Sequence, residues 1–556
     1  MFNKLISLYL LFMLISSLCY PQVTPPTLQP GEYWTQLFSL YFDYQTNGSI
    51  RYIVQNPANP QGLCAVLMAQ EDSTQFFNIN RFIYYAYSSN GGKNWAKNVV
   101  DTTVYFGFPC IDIRNGIPVL SMHTRGNPPQ RTYVLSDASF GGFNFTHFSG
   151  VPSNLMVEWP NIAVSSNGSI IVAVSQSTIF NGYYTTFNGT SWSPLAALPN
   201  TGGPGGQFSA EAGPNGSVYI FGTDYDSTNY YNNRLWTSNN NGLNFTLQTG
   251  SNAPPLILMS GTDTLADYID GGKQGLYLGN EVHLVYSVYA TNSMALPSPG
   301  NTKWFKKAKI IHWSSSTGID TVAGRYNMPQ MTDTLTHALV TPVCQPSMGY
   351  YNGYIYVTFT AFLRGNKQIV DDGSSVNAGE IFLTRSSDNG NTWSAPVNIT
   401  NTPNIEEKHS STIRSFILPA SDSAGIYYLR DMKAGGCVNV ASWGKAPVYG
   451  IYKKVGASVL GIKEDLETVR EYKLFQNYPN PFNPATTISY YLEKNGIVTL
   501  KVFNILGEEV TVLINEYQSR GVKEVKFDAS NLPSGIYFYS LTAGDFKDTK
   551  AMVLIK

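Results

Sequence analysis

The sequence predicts an all-β protein: a β-propeller of seven blades, or alternatively six, followed by a small C-terminal Ig-like β-sandwich. One strand-rich unit recurs along the chain, and no stretch shows the 3.6-residue apolar period of a helix. The composition is also rich in strand and turn formers. Aromatic residues make up 13% of the chain, with 37 Tyr, and there are 49 Gly and 31 Pro. Tyr and Phe suit half-buried sheet surfaces, whereas Gly and Pro mark turns.

The recurring unit consists of two apolar strands joined by a turn, a variable loop, and a third strand that ends in a glycine-containing turn before Trp or Phe. Four clear copies open with FPCIDIRNGIPVLSMH, WPNIAVSSNGSIIVAVSQS, FSAEAGPNGSVYIFGTD and QPSMGYYNGYIYVTFTAF. Weaker copies fill the gaps, so residues 33–455 are predicted to hold about seven units of four short strands. The number of blades falls to six if the first or the last copy does not form a blade of its own.

A ring of sheets leaves an exposed edge unless one blade combines strands from both ends of the chain. The segment from Tyr33 to Tyr44 reads YWTQLFSLYFDY and is rich in apolar residues. We expect it to supply the missing strand of the last blade.

Residues 1–20 have the pattern of a signal peptide. One basic residue precedes an apolar run from Leu5 to Leu18, and we expect cleavage near Cys19 or Tyr20. A lipoprotein signal with an acylated Cys19 is the alternative, although Leu18 stands where such signals need a small residue. No other apolar run is as long, so no transmembrane anchor is expected in the mature protein.

The composition argues against several kinds of partner. Charged residues make up 13% of the chain, the formal net charge is −1, and there is no basic stripe, so nucleic acid is not expected. The six His show no HxxxH or HxH pair that would indicate a zinc site. Asp224 and Asp226 could open a calcium loop, but no ligand series follows them. We therefore expect no metal and no cofactor.

Four cysteines lie beyond the signal: Cys64, Cys110, Cys344 and Cys437. Their wide spacings give no CxxC pair, no metal pattern and no pairing information. Passage through the periplasm would permit disulfides, but buried free thiols on strands are the favoured interpretation.

The turn after the third strand is most complete from Ser386 to Trp393, which reads SSDNGNTW. This pattern resembles the Asp box of sialidase-like, BNR-repeat propellers. A short side-chain oxygen at its third position can accept turn N–H groups, glycine permits positive φ, and the final ring packs on neighbouring strands. We therefore expect the boxes to be structural. The box residues, partial copies included, are Ser88, Asn90, Gly92, Trp95, Gly189, Trp192, Ser238, Asn240, Gly242, Phe245, Ser386, Asp388, Gly390 and Trp393.

The resemblance to sialidases implies an arginine triad, a Tyr–Glu nucleophile pair and an acid–base Asp, which suit an anionic substrate. Members also carry an early F/Y-R-I-P motif, whose nearest counterpart here, from Ile50 to Ile53, lacks the proline. Catalysis is therefore not expected, and no catalytic residue is assigned. Glu406 and Glu407 are interpreted as a solvated charge run rather than as channel carboxylates.

Residues 474–556 contain LFQNYPNPFNPATTISYYL, VTLKVFNILGEEV, FDASNLPSGIYFYSLTAG and TKAMVLIK. Motif by motif they resemble the C-terminal sorting domain of proteins exported by the bacterial type IX secretion system. The matching residues are Asn480, Pro481, Gly507, Gly535, Tyr537 and Lys556. The resemblance implies recognition by the translocon, removal by a surface sortase, and either release or attachment to surface lipopolysaccharide. An accessory Ig-like binding module is the alternative. Residues 456–473 include the charge cluster KEDLE and are interpreted as an exposed linker.

Together these features predict a propeller that is delivered outside the cell, where it binds a glycan or a protein ligand. Tyr-rich loops such as residues 224–233 are candidates for stacking contacts. A glycoside hydrolase acting on extracellular glycans and a structural or adhesive surface protein are the alternatives. Two funnel carboxylates about 5 to 9.5 Å apart would favour the hydrolase. Exposed rings without carboxylates would favour binding, and a plugged funnel would favour the structural protein.

Overall fold

The computed structural model describes residues 27–35, 51–70, 81–124, 131–152, 157–176, 181–199, 208–225, 231–255, 258–260, 263–267, 272–291, 308–332, 341–351, 353–413, 423–434, 446–456, 472–474, 477, 480, 482–518 and 521–555. The chain divides into two compact units, Met1–Leu460 and Gly461–Lys556. The predicted signal peptide, Cys437, Pro481, Lys556 and most of the charged linker lie outside the described residues. Within the described residues, no helix is both long and apolar enough to span a membrane.

The described residues of the first unit form antiparallel strands that pair into seven sheets. The strands are β1 (Glu32–Trp34), β2 (Ile53–Gln55), β3 (Leu63–Ala69), β4 (Phe82–Ser88), β5 (Ala96–Val99), β6 (Phe106–Arg114), β7 (Ile117–Thr124), β8 (Thr132–Asp137), β9 (Phe145–His147), β10 (Val157–Val164), β11 (Ile170–Gln176), β12 (Gly182–Phe187), β13 (Ala196–Ala197), β14 (Ser209–Ala212), β15 (Val218–Tyr225), β16 (Tyr231–Ser238), β17 (Thr246–Leu247), β18 (Leu258–Ser260), β19 (Asp263–Asp267), β20 (Lys273–Leu278), β21 (Glu281–Thr291), β22 (Lys309–Ser314), β23 (Gly318–Gly324), β24 (Val343–Tyr351), β25 (Tyr354–Ile369), β26 (Ser375–Ser386), β27 (Val397–Asn398), β28 (Glu406–Thr412), β29 (Ser423–Asp431) and β30 (Val448–Gly456). Sheets 1 to 7 consist of β2–β5, β6–β9, β10–β13, β14–β17, β18–β23, β24–β27, and β28–β30 with β1.

Burial falls from the first strands of a sheet to its last strand. In sheet 1 every residue of β3 is buried, whereas β5 alternates between exposed and partly buried positions. Such alternation is typical of a strand with one face in water. The early strands of each sheet therefore build the core of the unit, and the last strand lies at its outside.

The inner parts of successive sheets are joined by contacts that return from sheet 7 to sheet 1. The closing bond runs from the Tyr52 N–H to the Ser411 hydroxyl over 3.1 Å. Between sheets 4 and 5, a Cβ added to Gly275 would lie 2.7 Å from the Tyr219 hydroxyl, so the two sheets approach closely there. The other junctions carry hydrogen bonds between Arg51 and Ile111, Val164 and Asp112, Ala210 and Asn161, Ser347 and Gln274, and Thr412 and Ser347. Each of the seven sheets therefore contacts the next, and the seventh contacts the first.

Sheet 7 is completed by a strand from the other end of the unit. β1 pairs with β30, with Glu32 opposite Lys453 and Trp34 opposite Ile451. The prediction that the segment from Tyr33 to Tyr44 supplies this strand is confirmed for Tyr33 and Trp34, while residues 36–50 lie outside the described part of the chain. The pairing covers the edge that β30 would otherwise expose.

The turns at residues 88–95, 238–245 and 386–393, named here the motif turns, share one hydrogen-bond pattern. In each, the first Ser hydroxyl accepts the glycine N–H, and the side-chain oxygen of the third residue accepts the N–H two positions after that glycine. The glycine φ values are 84°, 79° and 91°. A residue with a side chain would be strained in this backbone conformation. The turn at residues 185–192 differs, because Phe187 and Trp192 face each other across an isolated bridge.

Each motif-turn glycine packs against the preceding sheet. A Cβ added to Gly92 would lie 2.1 Å from the ring of Tyr452 in sheet 7. The Trp95 ring also packs on Tyr452, with 5.6 Å between centroids, and its N–H donates to the Gly92 carbonyl over 2.9 Å. Equivalent close approaches join sheet 4 to sheet 3 and sheet 6 to sheet 5, through Gly242 with Ile171 and Gly390 with His312. The motif turns therefore hold each of these sheets against its neighbour.

The second unit has two sheets that share one apolar core. Its strands are β31 (Lys473–Leu474), β32 (Ala485–Leu492), β33 (Gly496–Phe503), β34 (Glu509–Gln518), β35 (Gly521–Asp528), β36 (Gly535–Ala543) and β37 (Phe546–Leu554). One sheet has the order β31-β32-β35 and the other β34-β33-β36-β37. Tyr490 of the first sheet and Leu500 and Tyr539 of the second belong to a single buried cluster. A two-sheet unit of this kind agrees with a small sandwich, and its Ig-like character remains a prediction.

Three cysteines are buried free thiols, as favoured from the sequence: Cys64, Cys110 and Cys344. The Cys64 sulfur lies 2.7 Å from the Tyr85 hydroxyl. Burial raises the pKa of the Cys64 thiol well above its ordinary range, so the group stays protonated and unreactive.

Replacing Gly92 by Ala should destabilise the first unit by about 3 kcal/mol, because the strain of a positive φ adds to the clash with Tyr452. Gly116→Ala is the matched control, since Gly116 has a φ of 78° but nothing within 4 Å of the added Cβ. The control should lose only about 1 to 2 kcal/mol. Urea unfolding measures both variants, and equal losses would show that Gly92 does not act as a wedge between sheets.

Candidate functional site

The motif turns lie at the opposite end of the sheets from the beginnings of the first strands. In sheet 6, β24 ends at Tyr351, opposite Tyr354 of β25. The third strand, β26, ends at Ser386, opposite Ile355, and the motif turn follows at once. Val343, where β24 begins, is therefore at the other end of the sheet. We name that end, where the first strands begin, the bulge end.

Four first strands carry a β-bulge near their beginnings. The register shifts within β6, β10, β24 and β28. A bulky residue with positive φ occupies each bulge: Phe108 (56°), Trp159 (51°), Gln345 (55°) and His409 (55°). Such residues rarely adopt this conformation, and bulges re-aim side chains beside functional sites. The bulge end is therefore the candidate functional site.

The sequence analysis did not single out these residues. A signal was available, because a proline follows Phe108, Trp159 and Gln345 at the same place in three copies of the repeat. His409 is followed by Ser410 instead, so its bulge has no such mark.

An aromatic cluster joins sheets 2 and 3 at the bulge end. The Phe108 ring stacks on His123 with 5.0 Å between centroids, and the Arg81 guanidinium lies 5.1 Å from the Phe108 centroid. His123 Nδ1 accepts the backbone N–H of Trp159 over 3.0 Å, and the Trp159 ring meets Phe108 edge-on with 6.5 Å between centroids. Phe108, His123 and Arg81 are buried, whereas Trp159 is partly exposed. Within this cluster, the Trp159 side chain is thus the one that is partly exposed, and its neighbours are buried.

A polar counterpart joins sheets 6 and 7. The Gln345 side-chain oxygen accepts the His409 N–H over 3.0 Å and the Thr360 hydroxyl over 3.2 Å. Gln345, His409 and Thr360 are all buried. The bulges of neighbouring sheets are therefore bonded to one another, which holds this end in a single arrangement.

Arg51, which lies just before β2, contacts carboxylates from two other sheets. Its guanidinium lies 3.1 Å from Asp112 of sheet 2 and also pairs with Glu211 of sheet 4. All three side chains are largely buried, with exposed fractions of 13%, 4% and 2%. The same guanidinium borders a narrow cleft that is partly open to solvent and is lined by Arg51, Asn161, Ser209, Ala210, Glu211, Gln274, Gly275, Met348 and Thr412. These ion pairs bridge three sheets inside the unit.

The interpretation of Glu406 and Glu407 as a solvated charge run is wrong, because both residues are fully buried in β28. Glu406 lies 3.4 Å from the Lys408 ammonium. Glu407 accepts a hydrogen bond from Arg430 Nε over 2.8 Å and one from the Thr402 hydroxyl over 2.5 Å. Partners from neighbouring segments replace the water that the two carboxyl groups give up.

Arg430 links Glu407 to the N-terminal strand. Its Nη2 lies 3.0 Å from Glu32 Oε1, which also accepts the Tyr428 hydroxyl over 2.6 Å and the Lys453 ammonium over 3.2 Å. Burial raises the pKa of Glu32, but Arg430 and Tyr428 lower it by more, so this carboxylate is ionised. For Glu407, burial raises the pKa to about 8; Arg430 opposes that rise and Glu380 adds to it. The network thus combines an ionised and a protonated carboxyl group around one guanidinium.

Two histidines that are distant in sequence meet in sheet 5. His283 Nδ1 lies 3.0 Å from His312 Nε2, and the rings stack with 5.2 Å between centroids. Burial lowers the pKa of His283 to about 4 and that of His312 to about 3, where the charge of His283 contributes further. Both are neutral near pH 7. The His312 ring is also the group against which Gly390 of the motif turn packs. In the described part of the chain, no group of three or more His, Cys, Asp or Glu could hold a metal ion.

The sorting-domain residues within the described ranges lie on strands and turns of the second unit. The Asn480 side-chain oxygen accepts the Val553 N–H over 2.8 Å. Gly507 has a φ of 79° in the turn between β33 and β34, and Gly535 opens β36. Tyr537 is 5% exposed, and its hydroxyl donates to a backbone carbonyl. These positions therefore shape the sandwich itself. Of the other sequence candidates, residues 226–230 of the Tyr-rich loop lie outside the described residues.

Glu407→Gln tests the buried carboxyl group. Because its pKa is raised to about 8, the folded state holds a proton that the unfolded chain releases above about pH 4.5, and this stabilisation is lost as pH rises through 8. Gln imitates the protonated form at every pH. The stability of the wild type relative to Glu407→Gln should therefore fall by at least about 1 kcal/mol between about pH 5 and pH 8.5, measured by urea unfolding.

Glu281→Gln is the control for this titration. Burial raises the pKa of Glu281, but hydrogen bonds from Ser316 and Ser315 lower it by more, so its contribution is lost only as pH falls below its ordinary range. Its difference from the wild type should stay constant over the same interval. A constant difference for Glu407→Gln as well would contradict the raised pKa.

Comparisons with solved structures find similar folds at low identity. A protein of unknown function from Dyadobacter fermentans is 13% identical with a TM-score of 0.37, and the match covers 64% of this chain and 99% of that one. The NanB sialidase from Streptococcus pneumoniae is 13% identical with a TM-score of 0.39, covering 78% and 72%. The Trypanosoma rangeli sialidase is 9% identical with a TM-score of 0.38, covering 94% and 89%.

Among curated proteins, none matches the chain. The family model described as "Secretion system C-terminal sorting domain" matches residues 476–556. This match confirms the resemblance carried by the motifs from Leu474 onward: the C-terminal residues are a type IX secretion sorting domain.

Proposed function

We propose that the first unit is a seven-bladed β-propeller that binds a glycan or a protein ligand outside the cell. Sheets 1 to 7 would be the blades, and the closed sequence of contacts from Tyr52 back to Ser411 supports a ring. Six blades are disfavoured because the first copy, β2–β5, forms a sheet of its own and the last copy, β28–β30, is completed by β1. Both the first and the last copy of the repeat would therefore be blades.

The sorting domain implies export across the outer membrane to the cell surface or the extracellular space. In our proposal, residues 1–20 direct the chain to the periplasm, and the type IX translocon and sortase then handle the second unit. Release and surface attachment are both compatible with this route. The ligand is therefore sought among molecules found outside the cell.

The observation that carries binding rather than hydrolysis is the pairing of the inner carboxylates. A glycoside hydrolase needs two carboxyl groups that are free to exchange protons with, or attack, the substrate. In the described first strands, Asp112 and Glu211 are bound to Arg51, and Glu407 is bound to Arg430. These three carboxyl groups therefore already have an arginine partner within the fold.

A structural or adhesive role is the second candidate, and the Arg51 ion pairs favour it. They join sheets 1, 2 and 4 inside the unit, so they obstruct the interior of the proposed ring. A ligand would then be restricted to the bulge end, where Trp159 is partly exposed.

The test is to run the full chain on native gels that contain mannan, xylan, laminarin or gastric mucin, and to assay the same polymers for new reducing ends. We expect at least one polymer to retard the folded chain without release of reducing ends, and urea-unfolded chain to migrate equally in every gel. Reducing-end release would replace the binding proposal with a hydrolase. Equal migration of the folded chain in all gels would reject glycan binding and favour the structural role.

A further inference from the structure

We propose that an exposed apolar patch on the second unit is the surface by which the type IX secretion machinery recognises this chain. The patch, named here the recognition patch, consists of Phe503, Ile505, Leu506, Ile536 and Phe538. Its occupant is an apolar protein surface of that machinery. This inference rests on the part of the proposed function that assigns export to the second unit, and it does not depend on what the first unit binds.

The recognition patch lies on the face of the second sheet that points away from the core. Along β33 buried residues alternate with more exposed ones, and Phe503 belongs to the exposed set. Phe503 lies opposite Phe538 of β36, and Ile536 shares the face of Phe538 because it stands two residues before it. Ile505 and Leu506 follow in the turn between β33 and β34, at the same end of the sheet.

Large apolar side chains are exposed more densely here than elsewhere. Of the twelve such exposed side chains in the part of the chain that the structure describes, seven lie in the second unit, although it is much the shorter unit. Leu506, Ile505 and Ile536 are 77%, 69% and 49% exposed. Contiguous exposed apolar residues mark sites where another molecule binds. The faces of these side chains are therefore available to a partner.

The turn that carries two of the patch residues is held in one conformation. The Asn504 side-chain oxygen accepts the N–H groups of Leu506 and Glu508, each over 3.0 Å. The Gly507 N–H donates to the Asn504 carbonyl over 3.0 Å, and Gly507 supplies the positive φ that the turn needs. Turns of this kind usually present polar residues, whereas this one presents Ile505 and Leu506. Because the turn is already ordered, little conformational freedom is lost when a partner covers it.

The residues that carry the resemblance to sorting domains lie around the recognition patch. Gly507 is part of the turn, and Gly535 and Tyr537 stand at the beginning of β36. Asn480 accepts the N–H of Val553, at the end of β37 that pairs with the beginning of β36. The sorting signature and the exposed apolar residues therefore occupy the same end of one sheet. This coincidence, together with the family match to residues 476–556, identifies the secretion machinery as the partner.

The fold does not require glycine at position 535. The φ of Gly535 is outside the left-handed region, and among the described residues no atom lies within 4 Å of a Cβ added there. Glycine at such a position leaves room for the close approach of another backbone. We expect the partner's backbone to use this room, beside the exposed side chain of Ile536.

The opposite end of the same sheet provides a matched control. Gly496 and Ile497 open β33 as Gly535 and Ile536 open the neighbouring β36, and Ile497 is 68% exposed on the same outer face. Gly496 also has a φ outside the left-handed region, with no atom of the described residues within 4 Å of an added Cβ. The two Gly-Ile pairs thus differ in their distance from the sorting signature rather than in their local structure.

The experiment follows export of the full chain in a bacterium with an active type IX system, with immunoblots of the exported and periplasmic fractions. Gly535→Ala and Ile536→Gln should each lower the exported fraction about tenfold, because each disturbs a central contact. Gly496→Ala and Ile497→Gln should change it by less than about twofold. Urea unfolding of the purified variants checks that all four are folded. Equal export of the two pairs, whether high or low, would overturn the recognition patch.

Two further measurements separate this inference from its alternatives. The wild type is also expressed in the same strain with its type IX system inactivated, where it should stay in the periplasm. Export that is equal in the two strains would reject the proposed route, and the recognition patch with it. Sedimentation of the purified full chain should show a monomer at all concentrations. A dimer that Ile536→Gln converts to a monomer would show that the patch binds a second copy, which would overturn its assignment to the machinery.

Discussion

The junction between sheet 7 and sheet 1 is the contact on which the first unit depends. Each sheet buries one face against the next, so the first and last sheets would expose apolar faces if they did not meet. They meet through the Tyr52–Ser411 hydrogen bond, the packing of Gly92 and Trp95 on Tyr452, and the pairing of β1 with β30. The chain therefore closes at a point that no local segment can form alone, and every other junction benefits from that closure.

Buried charge specifies how this junction is assembled. Removing an arginine and an ionised carboxylate from water costs several kcal/mol per ion, which only close partners can offset. Arg430 has both of its partners only when β1 is paired so that Glu32 lies close to Glu407 of β28. A shift of β1 by one residue would turn Glu32 away from Arg430, because successive strand residues face opposite sides. The network thus selects the register of the N-terminal strand, while the apolar core supplies the bulk of the stability.

The strand-rich repeat and the motif turns could be predicted because they depend on local chemistry. Gly92, Gly242 and Gly390 stand where a positive φ is needed, and the short oxygens of Asn90 and Asp388 bind N–H groups only four residues away. The contribution of the N-terminal segment to the last sheet followed from the general need to cover an edge. The motifs of the sorting domain are specific enough to be recognised directly.

Glu406, Glu407 and the bulge end could not be predicted in the same way, because their environments are made by distant segments. The partners of Glu407 include Arg430 and, through it, Glu32, which lies at the start of the unit. Adjacent acidic residues therefore resemble a solvated run until the fold is known. Trp159 owes its position to a bulge and to His123 of another sheet, and the Trp-Pro dipeptide alone does not reveal either.

Hydrogen–deuterium exchange of the full chain tests closure most directly. If sheets 7 and 1 meet as described, peptides covering residues 51–55 and 406–412 should exchange as slowly as the peptide covering residues 343–351, which lies in an interior junction. Exchange in both of the first two segments that is at least about a hundredfold faster than in the third would indicate an open row of sheets and contradict the closed arrangement.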